Sequence, residues 1–190
     1  NDGFRVADYS ANPTPSIPCR GVTIVAAVRP VYCSPGGENR GEIVDIMYDR
    51  LALAVSHPDG RVMVARNGNW GMYGTAIPNN TPAILSLVVQ TNGSFVCYLN
   101  GVSALTSGAN GNFSTAMTPT GTEVFKRHVN LGRNNPDGWS AYNGYLGDVF
   151  VYTNALADVD RQQLEADLAA KFLSTDYTIT ATAGTGGSIN

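Results

Sequence analysis

Aromatic and amide side chains are concentrated in two segments of the chain that lack the alternating pattern of a strand. Both tryptophans of the protein, Trp70 and Trp139, fall in these segments. Sugar rings stack on aromatic faces, and their hydroxyl groups form hydrogen bonds with Asn, Asp and Arg side chains. The two segments are therefore predicted to bind glycan, unless each Trp folds back to cap one end of the domain. The candidate residues are Arg133, Asn134, Asn135, Asp137, Trp139 and Tyr142 in the later segment, and Trp70 and Tyr73 in the earlier one.

Carboxylates that could support hydrolysis are poorly spaced in the sequence. Glu42 and Asp45 lie three positions apart, so strand alternation would put them on opposite faces of a sheet. Asp45 and Asp49 would share a face, but strand geometry separates them by about 13 Å, beyond the usual carboxylate pairs of glycosidases. No G-x-S-x-G, H-E-x-x-H or P-loop motif occurs. We therefore predict that the chain is not an enzyme. The alternative is a hydrolase whose catalytic carboxylates come from different strands.

The composition narrows the class of protein. A chain of 190 residues is long enough for one domain with a sizeable core. Its 21 Gly and 10 Pro residues indicate frequent turns and favour a mostly-β chain. Charged residues make up 14%, the net charge is -3 and no basic run occurs, so nucleic acid is not an expected partner. No apolar run approaches the roughly 20 residues of a membrane span. Because the chain begins Asn-Asp-Gly without Met, we expect a mature or excised fragment.

The three cysteines, Cys19, Cys33 and Cys97, are an odd set and do not predict a disulfide framework. Cys97 lies on the apolar side of an alternating strand, which predicts a buried thiol. Cys19 and Cys33 flank a predicted strand at Val22–Val28, so the two could pair only if the chain folds back. Their spacings do not match a zinc site.

A long strand is predicted to begin at Gly144. Its β-branched and aromatic residues are typical of a strand. Leu146 and Val149 require the same face, although three positions separate them. One extra residue between them would satisfy this requirement, so we predict a β-bulge at Gly147–Asp148.

An amphipathic helix is predicted directly after this strand. Leu164, Leu168 and Phe172 recur every four residues and form one apolar stripe. Asp158 and Asp160 lie in the first turn, where carboxylates interact favourably with the helix dipole. We expect the helix to cap an edge or one end of the domain.

This strand and helix together resemble the C-terminal signature of the laminin G-like (concanavalin A-like) domains of secreted bacterial proteins. The chain departs from the pattern at Gly147, where the family has an acid, at Ala157, where it has an N-cap Ser, and at Arg161, where it has Glu. The resemblance covers roughly Val22 to Phe172. It implies an all-β fold, a two-sheet antiparallel jelly-roll sandwich with one C-terminal helix. The matching residues are Gly144, Leu146, Asp148, Val149, Val151, Tyr152, Ala155 and Leu156 in the strand, and Leu164, Leu168, Ala169, Lys171 and Phe172 in the helix.

The chain is expected to contain one domain and the beginning of a second element. The laminin G-like domain would occupy residues 1–174. Residues 175–190 alternate polar and apolar side chains and resemble the beginning of an internalin-type bacterial repeat; the alternative is a polar linker tail. Other domains of the same chain are therefore expected partners.

The resemblance implies a secreted or cell-surface protein. The leading hypothesis is a non-catalytic carbohydrate-binding module that binds a polysaccharide or other glycan. The alternatives are a structural or adhesive module that contacts protein, and a polysaccharide-degrading enzyme with an unrecognised site. Tyr98 has outward parity on the sheet face where some relatives hold glycan, so it joins the candidate residues; the alternative is cross-strand packing.

Calcium is the one cofactor that the resemblance brings into consideration. Relatives often hold Ca²⁺ through Asp, Asn and backbone oxygens. The sequence contains no contiguous acidic segment of the kind that binds Ca²⁺. The two candidate ligands are Asp137 and Asp148. For Asp148 we expect instead a hydrogen bond to the backbone of the predicted bulge, because bulges leave donors unpaired.

Overall fold

The computed structural model describes residues 4–8, 21–33, 39–46, 51–66, 73–107, 128–132 and 140–174. These residues form eleven strands and one helix. The elements are β1 Phe4–Asp8, β2 Val22–Pro30, β3 Arg40–Ile46, β4 Leu51–Ser56, β5 Arg61–Arg66, β6 Tyr73–Ala76, β7 Ala83–Val89, β8 Phe95–Leu99, β9 Val102–Thr106, β10 His128–Leu131, β11 Gly144–Tyr152 and α1 Asp158–Phe172.

The strands form two antiparallel sheets. The six-stranded sheet has the order β1-β10-β3-β4-β5-β6, and the five-stranded sheet has the order β11-β2-β7-β8-β9. The inner faces of the sheets pack against each other, which buries apolar side chains such as Ile24, Ile46, Leu53, Leu85 and Phe95. The prediction of an all-β, two-sheet jelly-roll sandwich with one C-terminal helix is confirmed.

Helix α1 packs on the outer face of the five-stranded sheet, mainly against β7 and β2. Val25, Ala27 and Ile84 project from that face and form a second buried cluster with Leu168. Phe172 also packs against this cluster, so the predicted apolar stripe of the helix is confirmed. The expected location at an edge or end is wrong. Strand β2 is apolar on both faces, and a strand of this kind requires a covering layer on each side.

The predicted β-bulge in β11 is confirmed, because the pairing with β2 shifts register between Leu146 and Val149. At the bulge, the ring of Phe172 lies so close to Gly147 that a Cβ atom there would come within 2.6 Å of it. The absence of a side chain at residue 147 therefore allows the last residue of the helix to close against the strand. This contact gives a physical reason for one of the departures from the family pattern.

Cys97 is fully buried, as predicted, and burial raises the pKa of its thiol. Cys33 is a free cysteine, and Cys19 lies outside the described residues. Residues 175–190, expected to begin a further repeat or a tail, also lie outside them. Within the described part of the chain, no helix has the length and apolarity needed to span a membrane.

Candidate functional site

Most of the later candidate segment, residues 133–139, lies outside the described residues; we call it the Trp139 segment. The residues on either side of it are described, and they meet. The Gly132 N–H donates to the Ile43 carbonyl at 3.0 Å, and the Tyr142 N–H donates to the Gly132 carbonyl at 2.8 Å. The chain therefore leaves and returns at one point beside β3, and the segment has a closed base.

The return side of this base is also fixed to β3. The Glu42 N–H donates to the Ser140 carbonyl at 2.9 Å. A Cβ atom on Gly41 would come within 2.9 Å of the Tyr142 Cα atom and 2.6 Å of His57 Nε2, so these residues are tightly packed. Burial raises the pKa of the Tyr142 hydroxyl and lowers that of the His57 imidazole. Tyr142 is therefore part of the base on which the Trp139 segment stands.

The earlier candidate segment is attached at the opposite end of the six-stranded sheet. Residues 67–72, the Trp70 segment, follow Arg66 and lie outside the described residues. Arg66 pairs with Leu51 at one end of β4, whereas the base of the Trp139 segment adjoins Glu42, which pairs with Ala54 three residues further along β4. The rise of three strand residues separates these two levels by about 10 Å, and strands β3 and β4 also lie between β10 and β5 in the sheet. The two Trp-bearing segments are therefore attached too far apart for their bases to form one site.

Tyr73 and Tyr98 lie outside both Trp-bearing segments, on different sheets. Tyr73 begins the edge strand β6 and is 48% exposed. Tyr98 projects from the outer face of the five-stranded sheet, as its parity predicted, opposite Ser86 of β7. Helix α1 lies over it, and the Arg161 guanidinium is 3.7 Å from the centroid of its ring. One face of the Tyr98 ring is therefore occupied by Arg161.

The expectation that Glu42 and Asp45 lie on opposite faces is wrong. The pairing of β3 with β4 shifts register between Glu42 and Val44, which indicates a bulge that reverses the alternation. Glu42 therefore lies opposite Ala54, and Asp45 lies opposite Ala52. Because these two alanines are two positions apart on β4, both carboxylates project from the same face.

Burial nevertheless separates these two carboxylates from a soluble substrate. Both residues are 0% exposed. Arg40 Nε lies 3.3 Å from Glu42 Oε1, and Asn130 Nδ2 donates to Asp45 Oδ2 at 3.1 Å. A buried carboxylate requires such partners because its desolvation is costly. The arrangement fits a structural polar cluster on the sheet face.

The structure gives Asp148 a partner other than the one expected. Lys171 Nζ lies 2.7 Å from Asp148 Oδ2, so the carboxylate pairs with the helix and not with the backbone of the bulge. Among the described residues, no group of three or more His, Cys, Asp or Glu side chains is arranged to hold a metal ion. The other candidate ligand, Asp137, lies in the Trp139 segment.

No family model matches the chain, and no curated protein sequence matches it. Several solved structures do share its fold. A proposed carbohydrate-binding protein from Bacteroides ovatus has 16% sequence identity and a TM-score of 0.55, over 76% of this chain and 40% of that one. Domain 4 of an extracellular arabinanase from Geobacillus stearothermophilus, in complex with arabinotriose, has 20% identity and a TM-score of 0.57, over 86% of this chain and 72% of that one.

A Trypanosoma rangeli sialidase, in complex with 2,3-difluorosialic acid, has 14% identity and a TM-score of 0.57. The match covers 82% of this chain and 24% of the sialidase. This chain therefore spans less than half the length of the sialidase and of the Bacteroides protein. At these identities the likeness establishes the fold alone, a two-sheet β-sandwich.

Proposed function

We propose that this chain is a non-catalytic carbohydrate-binding module of a larger secreted bacterial protein, and that it binds glycan through the Trp139 segment and Tyr142. The observation that carries the proposal is the closed base of the segment. Its seven residues include Arg133, Asn134, Asn135, Asp137 and Trp139, a composition suited to sugar rings and hydroxyl groups. Both ends of the segment are fixed to the rigid strand β3.

The closed base matters because it reduces the entropy that binding must remove. A short segment with fixed ends has fewer conformations than a free chain, and preorganisation of this kind increases affinity. The Tyr142 side chain packs against the core at the same end of the sandwich. The Trp139 segment is therefore a better candidate for glycan than Tyr98, whose ring is already stacked with Arg161.

The structural neighbours are consistent with this proposal. Two of them are described as carbohydrate-binding or as a domain in complex with arabinotriose, although they share only the fold with this chain. The burial of Glu42 and Asp45 supports a non-catalytic role, because a glycosidic bond must reach both carboxylates of a glycosidase. The alternative is an adhesive module that contacts protein.

The test is a glycan array and an insoluble-polysaccharide pull-down, each performed with and without EDTA. Trp139→Ala should weaken binding at least about 10-fold, because a stacked aromatic is a typical hot spot. Trp70→Ala is the matched control, since its segment is attached at the opposite end of the sheet, and it should bind as the unaltered protein does. Sensitivity to EDTA would add Ca²⁺ to the site.

Other results would assign glycan binding to a different part of the chain or contradict it. Loss of binding in Trp70→Ala, with Trp139→Ala unaffected, would move the site to the Trp70 segment and Tyr73. Binding that survives both changes would direct attention to Tyr98. A folded protein that binds no glycan would contradict the proposal and favour the adhesive module.

A further inference from the structure

A second arginine–tyrosine stack lies on the outer face of the five-stranded sheet, beyond the C-terminal end of α1. Arg29 of β2 and Tyr145 of β11 are directly paired across the strands. The Arg29 guanidinium lies 4.0 Å from the centroid of the Tyr145 ring, and Tyr145 is 60% exposed. A partly exposed guanidinium over an exposed ring offers both donors and an apolar surface to a ligand.

This stack forms one side of a cleft of about 430 Å³, which we call the Arg29 cleft. Phe172 and Leu173 at the end of the helix form the other side, and Gly147 of the bulge lies between the two sides. The cleft is large enough for a sugar unit, since small-molecule sites begin at about 300 Å³. Its lining is mostly apolar, with the guanidinium as its charged group.

The guanidinium in this cleft has no anionic partner among the described residues. Arg29 Nε is buried, and it makes no hydrogen bond in the described part of the chain. No described carboxylate forms an ion pair with Arg29. A desolvated donor of a charged group is costly to leave unpaired, and a bidentate carboxylate is the partner that best matches a guanidinium.

The same face of the sheet provides an internal reference. Arg161 also stacks on a tyrosine, Tyr98, and there Glu165 supplies both carboxylate oxygens at 2.6 Å. The Arg29 guanidinium lies at a similar distance from its tyrosine ring, 4.0 Å, but no described carboxylate bonds to it. An incoming acid group would take the position that Glu165 takes beside Arg161.

We propose that the Arg29 cleft binds a sugar unit that bears a carboxylate, with Arg29 pairing with the acid group and Tyr145 and Phe172 contacting the ring. This inference rests on the proposed glycan-binding function and names the class of sugar. Tyr145 follows Tyr142, in the base of the Trp139 segment, by three residues. The Val31 N–H donates to the Asn143 carbonyl at 3.0 Å, which fixes the chain between them.

The experiment measures binding of matched acidic and neutral ligands to the intact chain. The probes are oligosaccharides ending in glucuronate, galacturonate or N-acetylneuraminate, each with its own methyl ester as the neutral counterpart. The unaltered protein should bind at least one acid form roughly 10- to 100-fold more tightly than its ester, as expected for a charge-assisted pair. Arg29→Gln should remove this preference, so that the acid form and its ester bind with about equal affinity. Arg61→Gln, an exposed arginine paired with Asp59, is the control and should keep the preference.

The outcomes distinguish this inference from the proposed function. Equal binding of acid and ester by the unaltered protein would overturn the carboxylate inference and leave glycan binding intact. An acid preference that survives Arg29→Gln would overturn the assignment to this cleft. Absence of binding to every glycan, acidic or neutral, by a folded protein would overturn both proposals. Tyr145→Ala provides an independent check and should weaken binding of the acid form about 10-fold.

Discussion

Two arginine–tyrosine stacks on one face of the five-stranded sheet differ in what surrounds them. Arg161, on the buried side of α1, lies over the Tyr98 ring and is 2% exposed. Its Nη1 atom lies 2.6 Å from Glu165 Oε1. Arg29, over Tyr145, is half-buried at the open end of the face, and no described carboxylate is bonded to it. The contact between guanidinium and ring is nearly the same in both, at 3.7 and 4.0 Å.

The carboxylate of Glu165, and not the aromatic contact, distinguishes the surroundings of the two arginines. Burial by itself lowers the pKa of Arg161, but Glu165, together with Tyr98 and Asp158, outweighs it, so the pKa is raised overall. A buried arginine that is paired with a carboxylate of its own chain has few donors available for a ligand. An arginine without such a partner keeps its donors for one.

The largest effect should come from breaking the first stack. Arg161→Leu would leave Glu165 buried without its partner, and we expect a loss of about 3–5 kcal/mol in the free energy of unfolding. Urea denaturation measures this loss. The double change Arg161→Leu with Glu165→Leu should recover much of it, since no buried charge then remains. A single change that costs less than about 1 kcal/mol would contradict the role given to this pair.

The next effect should come from the helix end beside the second stack. A Cβ atom in Gly147→Ala would lie 2.6 Å and 2.7 Å from two ring carbons of Phe172. We expect a loss of about 1–3 kcal/mol as the helix end moves away from the bulge. Thermal unfolding measures it. Phe172→Leu added to this variant should relieve the contact, and stability that is unchanged by Gly147→Ala would argue against close packing here.

A smaller, pH-dependent effect should arise at His57, away from both stacks. Burial lowers the pKa of folded His57 below its ordinary value of 6.5, so the unfolded chain binds the proton more readily. Stability should therefore fall as the pH drops below about 6.5 and continue to fall down to the folded-state pKa. Denaturation of the unaltered protein and of His57→Gln, from about pH 7 to pH 5, isolates this contribution. Parallel curves for the two proteins would contradict it.

The smallest effect on stability should come from the second stack itself. Arg29→Leu removes both an unpaired buried donor, which favours folding, and the contact with the Tyr145 ring, which opposes it, so we expect the free energy of unfolding to change by less than about 1 kcal/mol. Urea denaturation of this variant beside Arg161→Leu makes the comparison direct. A loss comparable to that of Arg161→Leu would mean that Arg29 serves the fold and not a ligand.

Much of the fold could be predicted from local patterns. The strand after Gly144, its bulge and the apolar stripe of α1 each depend on residues close together in the chain, and periodicity reports such relations directly. The buried Cys97 follows from the same alternation. Among the candidate site residues, the outward direction of Tyr98 was predictable, but its cover by Arg161 was not, because 63 residues separate the two in the chain.

Failures of prediction arose where one local irregularity or one distant contact changed the geometry. The bulge in β3 reversed the alternation and brought Glu42 and Asp45 to one face. Without a bulge, two strand residues that are three positions apart lie on opposite faces. The pairing of Asp148 with Lys171 depended on the helix returning to the strand that precedes it. The Arg29 stack went unrecognised because Arg29 and Tyr145 become neighbours only through the pairing of β2 with β11.

The amino-acid sequence was sufficient for the mostly-β class, the strand and helix after Gly144, and the concentration of sugar-binding residue types in the Trp139 and Trp70 segments. These properties are carried by periodicity and composition, which need no knowledge of distant neighbours. Tertiary structure alone decided that the two Trp-bearing segments are attached at opposite ends and that α1 covers a sheet face. It also decided that Arg161 bonds to a carboxylate while no described carboxylate bonds to Arg29. Each of these depends on strand order and register, and pairing energies between residues far apart in the chain determine both.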